Sequence, residues 1–413
     1  MRDLKTYKWI VLIFCYYIYP FVVNGASLFS YTITYGIPFI YVILNYNLSA
    51  GFIGKMKKSQ FQCLVLVLTL TLASIVYPVL HHTDDFHYIS AITFVFRKLL
   101  IYVFLCEVII KKYKEKSIPE MFMYYFCVAT SLYVVSTLIF LGFVPLRTFW
   151  MGCVSSENIT ELYTSGYGYV TRIGWQGFSG FRNTLRCSLS IVFLLYLYYE
   201  KHIINNIEFA LLFAASFMGN MFYGRSGVAV SALCILAASL YYKIVKITML
   251  AKWMLAAGAV FIMINWLRNM NIFLNQWYLW MTTPFKNLIT MGSFNNISVE
   301  RLLKNMIFIP EFKTLILGDG RYVFNNAYYM KTDSGFMRQI LFWGLPGTIL
   351  AYIATLLSMK RFSHTKMILL LIITFLLFEI KGEVYYEFIP LMLSLSFMKN
   401  WQEKMKVKRI NDQ

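Results

Sequence analysis

The chain has 413 residues, 59% of them hydrophobic and 14% charged, with a mean hydropathy of +0.60. A soluble domain carries about a quarter charged residues, so the composition excludes a soluble enzyme or binding module. The formal net charge is +19, but the basic residues are scattered between apolar runs, whereas nucleic-acid binding needs a solvated basic face.

Apolar runs long enough to cross the hydrocarbon core recur along the whole sequence. They predict an all-α, polytopic membrane protein, a single integral membrane domain over residues 1–413, with about 12 transmembrane helices. The predicted spans lie near 8–24, 28–46, 61–80, 90–110, 120–144, 183–199, 207–223, 227–242, 248–266, 335–357, 367–380 and 384–398. Arg2, Lys5 and Lys8 precede the first run, as in a signal peptide. Its length, its tyrosines and Pro20 favour an uncleaved first span over cleavage near Ala26.

Lysines cluster at Lys55/Lys57/Lys58, Lys111/Lys112/Lys114/Lys116, Lys243/Lys246, Lys360/Arg361/Lys366 and Lys404/Lys406/Lys408/Arg409. With alternating spans all of these fall on the side of the N-terminus, which places both termini in the cytoplasm. The opposite face then receives 81–89 and two long external loops, near 145–182 and 267–334, with tight turns near Gly25, Gly224 and Lys381. The basic residues there are mostly arginine: Arg147, Arg172, Arg182, Arg225, Arg268, Arg301 and Arg321. Lysine is a hydrated point charge, whereas arginine offers a planar fork for phosphate or carboxylate. External arginines therefore read either as anion ligands or as headgroup partners.

Three stretches carry chemistry. Thr171 to Asn183 combines three glycines and Ser179 with Arg172 and Arg182 at a helix start, where free N–H groups favour anions. Gly224-Arg225-Ser226-Gly227 places an arginine in a tight turn between apolar spans, which reads as an intramembrane functional charge or as a snorkelling helix end. The third runs from Glu300, Arg301 and Lys304 through Gly318-Asp319-Gly320-Arg321 to Asp333, just before a span opening at Gly335. Asp333 reads as a helix N-cap or as a general base, with Glu300 and Glu383 as further carboxylate candidates. His81-His82-Thr83-Asp84-Asp85-Phe86-His87 holds metal-capable side chains, but no second ligand cluster accompanies it, so a polar interface loop is the expectation. No metal or cofactor is expected. Arg97, Lys98 and Glu107 lie inside one span without an assignment. The seven cysteines are isolated, with no CxxC spacing, and read as small core residues.

Together these stretches resemble the O-antigen polymerase and ligase superfamily, the Wzy-type polysaccharide polymerases and their ligase relatives. The resemblance rests on Arg172 with Gly174, the Arg225-Ser226-Gly227 turn, and a closing pattern. That pattern is Leu317-Gly318-Asp319-Gly320, Asp333-Ser334-Gly335-Phe336 and Phe342-Trp343-Gly344-Leu345-Pro346-Gly347. It covers roughly residues 160–350 and elsewhere only the hydropathy. It implies a GT-C-like fold and glycosyl transfer from a polyprenyl-pyrophosphate-linked oligosaccharide at the outer face of the bacterial plasma membrane. Membrane lipid is an implied partner, and a chain-length regulator is a further partner the resemblance allows. It also implies pyrophosphate contacts from Arg172, Arg225 and Arg301, with Arg182, Arg321 and Glu300 as further substrate contacts. Ligases of the superfamily carry a histidine at the helix mouth where this chain has Asp333, which favours polymerase. The alternatives are the ligase and a lipid-linked-sugar transporter; no internal repeat of the transporter kind is present.

Overall fold

The computed structural model describes residues 7–46, 51, 54, 56–113, 117–154, 172–178, 180–242, 262, 265–266, 268, 272–291, 302–325 and 327–411. Helix predominates. In chain order the elements are α1 (Lys8–Ile18), α2 (Ser27–Leu44, with a π turn at Thr32–Gly36), α3 (Lys58–Leu80), α4 (His87–Tyr113), α5 (Ile118–Gly142) and α6 (Val144–Cys153). A hairpin of β1 (Ile173–Gly174) and β2 (Gly177–Phe178) precedes α7 (Phe181–Leu195), α8 (Asn206–Tyr223), α9 (Arg225–Tyr241) and α10 (Ile272–Met291). Then come the short α11 (Phe312–Leu317), a hairpin of β3 (Val323–Phe324) and β4 (Ala327–Tyr328), α12 (Gly335–Met359), α13 (Met367–Lys381) and α14 (Tyr385–Asn411).

Among the described residues, five helical segments are long and apolar enough to cross a membrane: α2, α3, α4, α5 and Gly335–Phe362. The chain is an all-α membrane protein. Helix occupies each predicted apolar segment within the described residues, but the ends move for local reasons. α1 stops at Ile18, because Pro20 disfavours helical geometry at Tyr19. The segment 248–266 lies outside the described residues except Ile262, Asn265 and Trp266. The expected external loop at 267–334 contains a 20-residue helix, α10. Asn275, Gln276, Thr282, Thr283 and Lys286 dilute its hydropathy below that of the other apolar runs.

The chain forms two compact units. The first comprises Met1–Tyr31, Met123–Asn296 and Leu369–Thr374; the second comprises Thr32–Phe122, Ile297–Ile368 and Phe375–Gln413.

In the first unit α7, α8 and α9 pack against one another. Asn205 caps α8 by accepting from the Ile207 and Glu208 amides at 3.0 and 2.9 Å, and Glu208 returns a bond to the Asn205 amide, a capping box. Helices in lipid gain little from the hydrophobic effect and associate through small residues and side-chain hydrogen bonds. Both are present. Ser190 and Ser216 hydroxyls lie 2.8 Å apart, Ser188 donates to Asn220 Oδ1 at 3.3 Å, and the Asn220 amide donates to Ser231 at 2.7 Å. A side chain at Gly227 would overlap Thr184 and Asn220.

In the second unit α12 runs antiparallel to α3: the Cys63 thiol meets the Ala354 carbonyl, while the Tyr77 ring stacks on Phe342. α14 packs along both α12 and α4. α12 is broken at Gly344, whose φ of +72° is left-handed. The freed carbonyls of Leu341 and Phe342 accept hydrogen bonds from the Asp319 and Gly320 amides at 2.7 and 3.2 Å. The Gly-Asp-Gly turn is thus a plug for a helix break. Gly318 (φ +69°) and Gly344 approach so closely that a Cβ on either would overlap the other segment's backbone.

Candidate functional site

The first unit builds a cationic corner from the bottom up. The β1–β2 hairpin is fixed by Trp175, whose indole donates to the Tyr19 carbonyl at 3.0 Å, and by Trp150, whose indole donates to the Trp175 carbonyl at 2.9 Å. Tyr19 in turn stacks on Tyr133 with ring centres 4.1 Å apart. This seat sets the position of Arg172, immediately before β1. From the other side, α10 is anchored by the Trp277 indole, which donates to the Met221 carbonyl at 3.1 Å. One turn further along α10, Trp280 receives two arginines: Arg172 at 5.9 Å and Arg225 at 4.6 Å from its ring centre. Both guanidinium groups therefore lie within cation–π distance of the same ring. Arg225 occupies the first position of α9, after Gly224. The backbone at Gly180 also approaches Arg172, and a Cβ there would come within 2.9 Å of its Nη1. Two like charges held together on a π surface favour an anion between or beside them.

Arg182 is exposed in the first turn of α7. One turn deeper, Arg186 is buried, with its guanidinium over the Tyr19 ring at 5.1 Å and its Nη1 donating to Asn183 Oδ1 at 3.4 Å. Sequence reading passed over Arg186, although a charge inside an apolar span is itself the signal.

The second unit holds Asp333 and Arg321. The N-cap of α12 is Ser334, so Asp333 stands one residue outside the cap, with its side chain 55% exposed. Its Oδ1 is 3.9 Å from Arg338 Nη2. Arg321 lies over the rings of Phe324 and Tyr329 at 5.1 and 5.7 Å. Glu300 and Arg301 lie outside the described residues.

Arg338 and Glu383 form the polar centre of this unit. Glu383 Oε1 accepts from the Tyr88 hydroxyl at 2.7 Å. Its Oε2 accepts from Tyr322 at 2.8 Å and from Arg338 Nη1 at 3.4 Å. Tyr385 extends the chain by donating to the Tyr88 hydroxyl at 3.1 Å. Arg338 also donates through Nε to the Thr332 carbonyl and lies against the Tyr328 ring. Burial, and next the Glu383 carboxylate, push the Tyr322 phenol far above its ordinary value, so it serves as a donor. Both Glu383 oxygens are thus engaged, an arrangement suited to holding Tyr322 in place. Glu379 is occupied too: it accepts from the Val384 and Tyr385 amides at 2.8 and 2.9 Å and from Gln339 at 3.2 Å, capping the start of α14.

The His81–His87 loop carries a second clamp. Asp85, 6% exposed, accepts at 2.6 Å from both the Tyr322 and Val323 amides, while its other oxygen meets the His87 amide and ring Nδ1. Burial alone would raise the Asp85 carboxyl; the bonds from Val323, His87 and Tyr322 outweigh it and hold the group below its ordinary range. Among the described residues no three His, Cys, Asp or Glu side chains come together as a metal site would require. Arg97 donates to the Ser90 carbonyl at 2.9 Å, and Lys98 is buried beside Phe94 at 5.3 Å. No protein-family model, curated protein or solved structure matches the chain.

Proposed function

We propose that the protein is a polymerase of lipid-linked oligosaccharide repeat units, transferring a growing glycan from polyprenyl pyrophosphate to a lipid-linked repeat unit. On this reading it has about twelve spans and a GT-C-like architecture. It lies in the bacterial plasma membrane with both termini in the cytoplasm. The observation that carries the reading is the convergence of Arg172 and Arg225 on Trp280 in an integral membrane protein. Pyrophosphate is a good leaving group, so paired arginines need only stabilise the charge that develops as the anomeric bond breaks. The aromatic surface beside them suits the polyprenyl stem or a sugar face.

Asp333 is the general-base candidate for the acceptor hydroxyl, being half exposed, with its Oδ1 3.9 Å from Arg338 Nη2. Arg301, Arg182, Arg321 and Glu300 remain candidate substrate contacts. The break in α12 is a feature that favours a transporter, since discontinuous helices line transport sites. Its freed carbonyls are engaged by the Gly-Asp-Gly turn rather than open to a ligand, which favours surface chemistry.

Purified protein in sealed proteoliposomes, given polyprenyl-pyrophosphate oligosaccharide, should yield lengthened lipid-linked product. Arg225→Ala and Arg301→Ala should abolish lengthening with membrane expression intact. Unextended substrate moved across the bilayer would establish transport instead, and unchanged ladders in both variants would remove the arginines from the mechanism.

A further inference from the structure

We infer that the segment from Ile309 to Leu317 is a membrane-docking element that lies in the lipid–water boundary and binds an anionic phospholipid surface. This inference is independent of the polymerase reading.

The depth of the segment follows from contacts within the second unit. α3 has 23 residues, about 34 Å at 1.5 Å per residue, against a hydrocarbon core of about 30 Å. Its Leu80 end therefore sits at the boundary. The turn after α11 is pinned at that end. Thr83 donates to the Gly320 carbonyl at 2.7 Å, and a Cβ on Gly320 would lie 2.9 Å from the Tyr77 carbonyl and 3.2 Å from His81 Cβ. The plug into Leu341 and Phe342 fixes the same level from the α12 side.

At that level the segment exposes large apolar side chains. Ile309 is 91% exposed and Phe312 79%, with Ile316 one turn beyond Phe312 on the same side and Leu317 next to it, both exposed. In water this would be an unfavourable patch; at a bilayer boundary it is the apolar side of an interfacial element. α3, whose Leu80 end marks that level, also exposes a stripe of large apolar side chains at Leu72, Val76, Val79 and Leu80. The charge fits an anionic surface. The segment itself carries Lys313 and Glu311, and its flanks add Lys304, Arg321 and Lys331 against Asp319 and Asp333. Asp319 is occupied by the Thr314 hydroxyl at 2.7 Å. Lys313 is exposed next to Phe312, where an ammonium reaches the headgroups while the ring enters the acyl region.

The test uses the full chain in nanodiscs, with a nitroxide at a Phe312→Cys position in a Cys15→Ser/Cys153→Ser background; the remaining cysteines are buried. A label at Asn325→Cys, at the exposed hairpin tip, is the aqueous reference. In discs containing phosphatidylglycerol, the label at 312 should collide more with oxygen than with a water-soluble nickel chelate, the reverse of the label at 325. Replacing phosphatidylglycerol by phosphatidylcholine, or adding Lys313→Glu, should make the label at 312 shallower. Nickel access at 312 equal to that at 325 would overturn the docking. Depth unaffected by both lipid charge and Lys313→Glu would overturn the anionic preference. Spin–spin broadening between labels at 312 would assign the patch to a second copy of the chain and overturn the inference. A label at Ile309→Cys repeats the measurement on a residue without described packing duties.

Discussion

Arg338 Nη1 lies 3.4 Å from Glu383 Oε2, the arginine side chain 11% exposed and the glutamate fully buried. Breaking a buried pair by removing one partner typically costs about 3–5 kcal/mol, because it strands the other charge, whereas replacing both with apolar groups is often neutral. Glu383→Leu and Arg338→Met should each destabilise the protein within that range. The double variant should recover only part of the loss, since it leaves no orphaned charge but takes the acceptor from the Tyr88 and Tyr322 hydroxyls. Unfolding in mixed micelles measures all three; single variants that cost under about 1 kcal/mol would show a solvated surface pair instead.

The shared Trp280 platform makes a graded prediction for lengthening of lipid-linked oligosaccharide. Arg225→Lys keeps the charge and loses the planar fork. If the fork stabilises the leaving pyrophosphate, the rate should fall by about 100-fold, as for loss of one preorganised donor. Trp280→Ala removes the cation–π support, about 0.5–2 kcal/mol, so that loss should cost about 2- to 30-fold. A rate for Arg225→Lys equal to that of the wild-type chain would reduce the arginine's role to bulk charge.

The parts of this architecture that were legible in the sequence are those written locally. Apolar runs gave the helices, and Arg225 between two glycines stood out as an ionisable residue at a tight turn. Trp280 was not legible, because polar residues hide α10 inside what reads as a loop. Nor was the Arg338–Glu383 pair, whose members are 45 residues apart and meet only when α12 and α14 pack. The Gly318–Gly320 turn could be read as a turn. Its role as the plug of a broken helix depends on the Leu341 and Phe342 carbonyls, which no local pattern reveals.

The plug predicts a sharp contrast between two neighbouring substitutions. Gly344→Ala places a Cβ against the Ile316 carbonyl at a left-handed φ. Backbone strain of about 1–3 kcal/mol adds to that clash, so a loss of stability of roughly 2–4 kcal/mol is expected. Pro346→Ala, two residues on in the first turn of the restarted helix, should change stability by less than about 1 kcal/mol. Equal midpoints for the two variants in detergent unfolding would mean that the break does not need its glycine.

Asp85 makes the β3–β4 hairpin responsive to acid, and the sign follows from its depressed carboxyl. A group bound more tightly as the anion stabilises the fold fully above its unfolded value, about 3.9 for aspartate. That contribution is lost as pH falls through the lower folded value. The charged and titratable groups facing it are His87 and, through the backbone, Tyr322. Exchange of the Tyr322 and Val323 amides, corrected for the intrinsic rate, should therefore be flat from neutral pH down to about pH 5. It should rise only below the ordinary carboxylate range. Asp85→Asn should raise that exchange already at neutral pH, because the amide oxygen is a weaker acceptor for two backbone N–H groups. Full protection in Asp85→Asn at neutral pH would show that the hairpin is held without Asp85, by the Tyr322–Glu383 and Arg338–Tyr328 contacts.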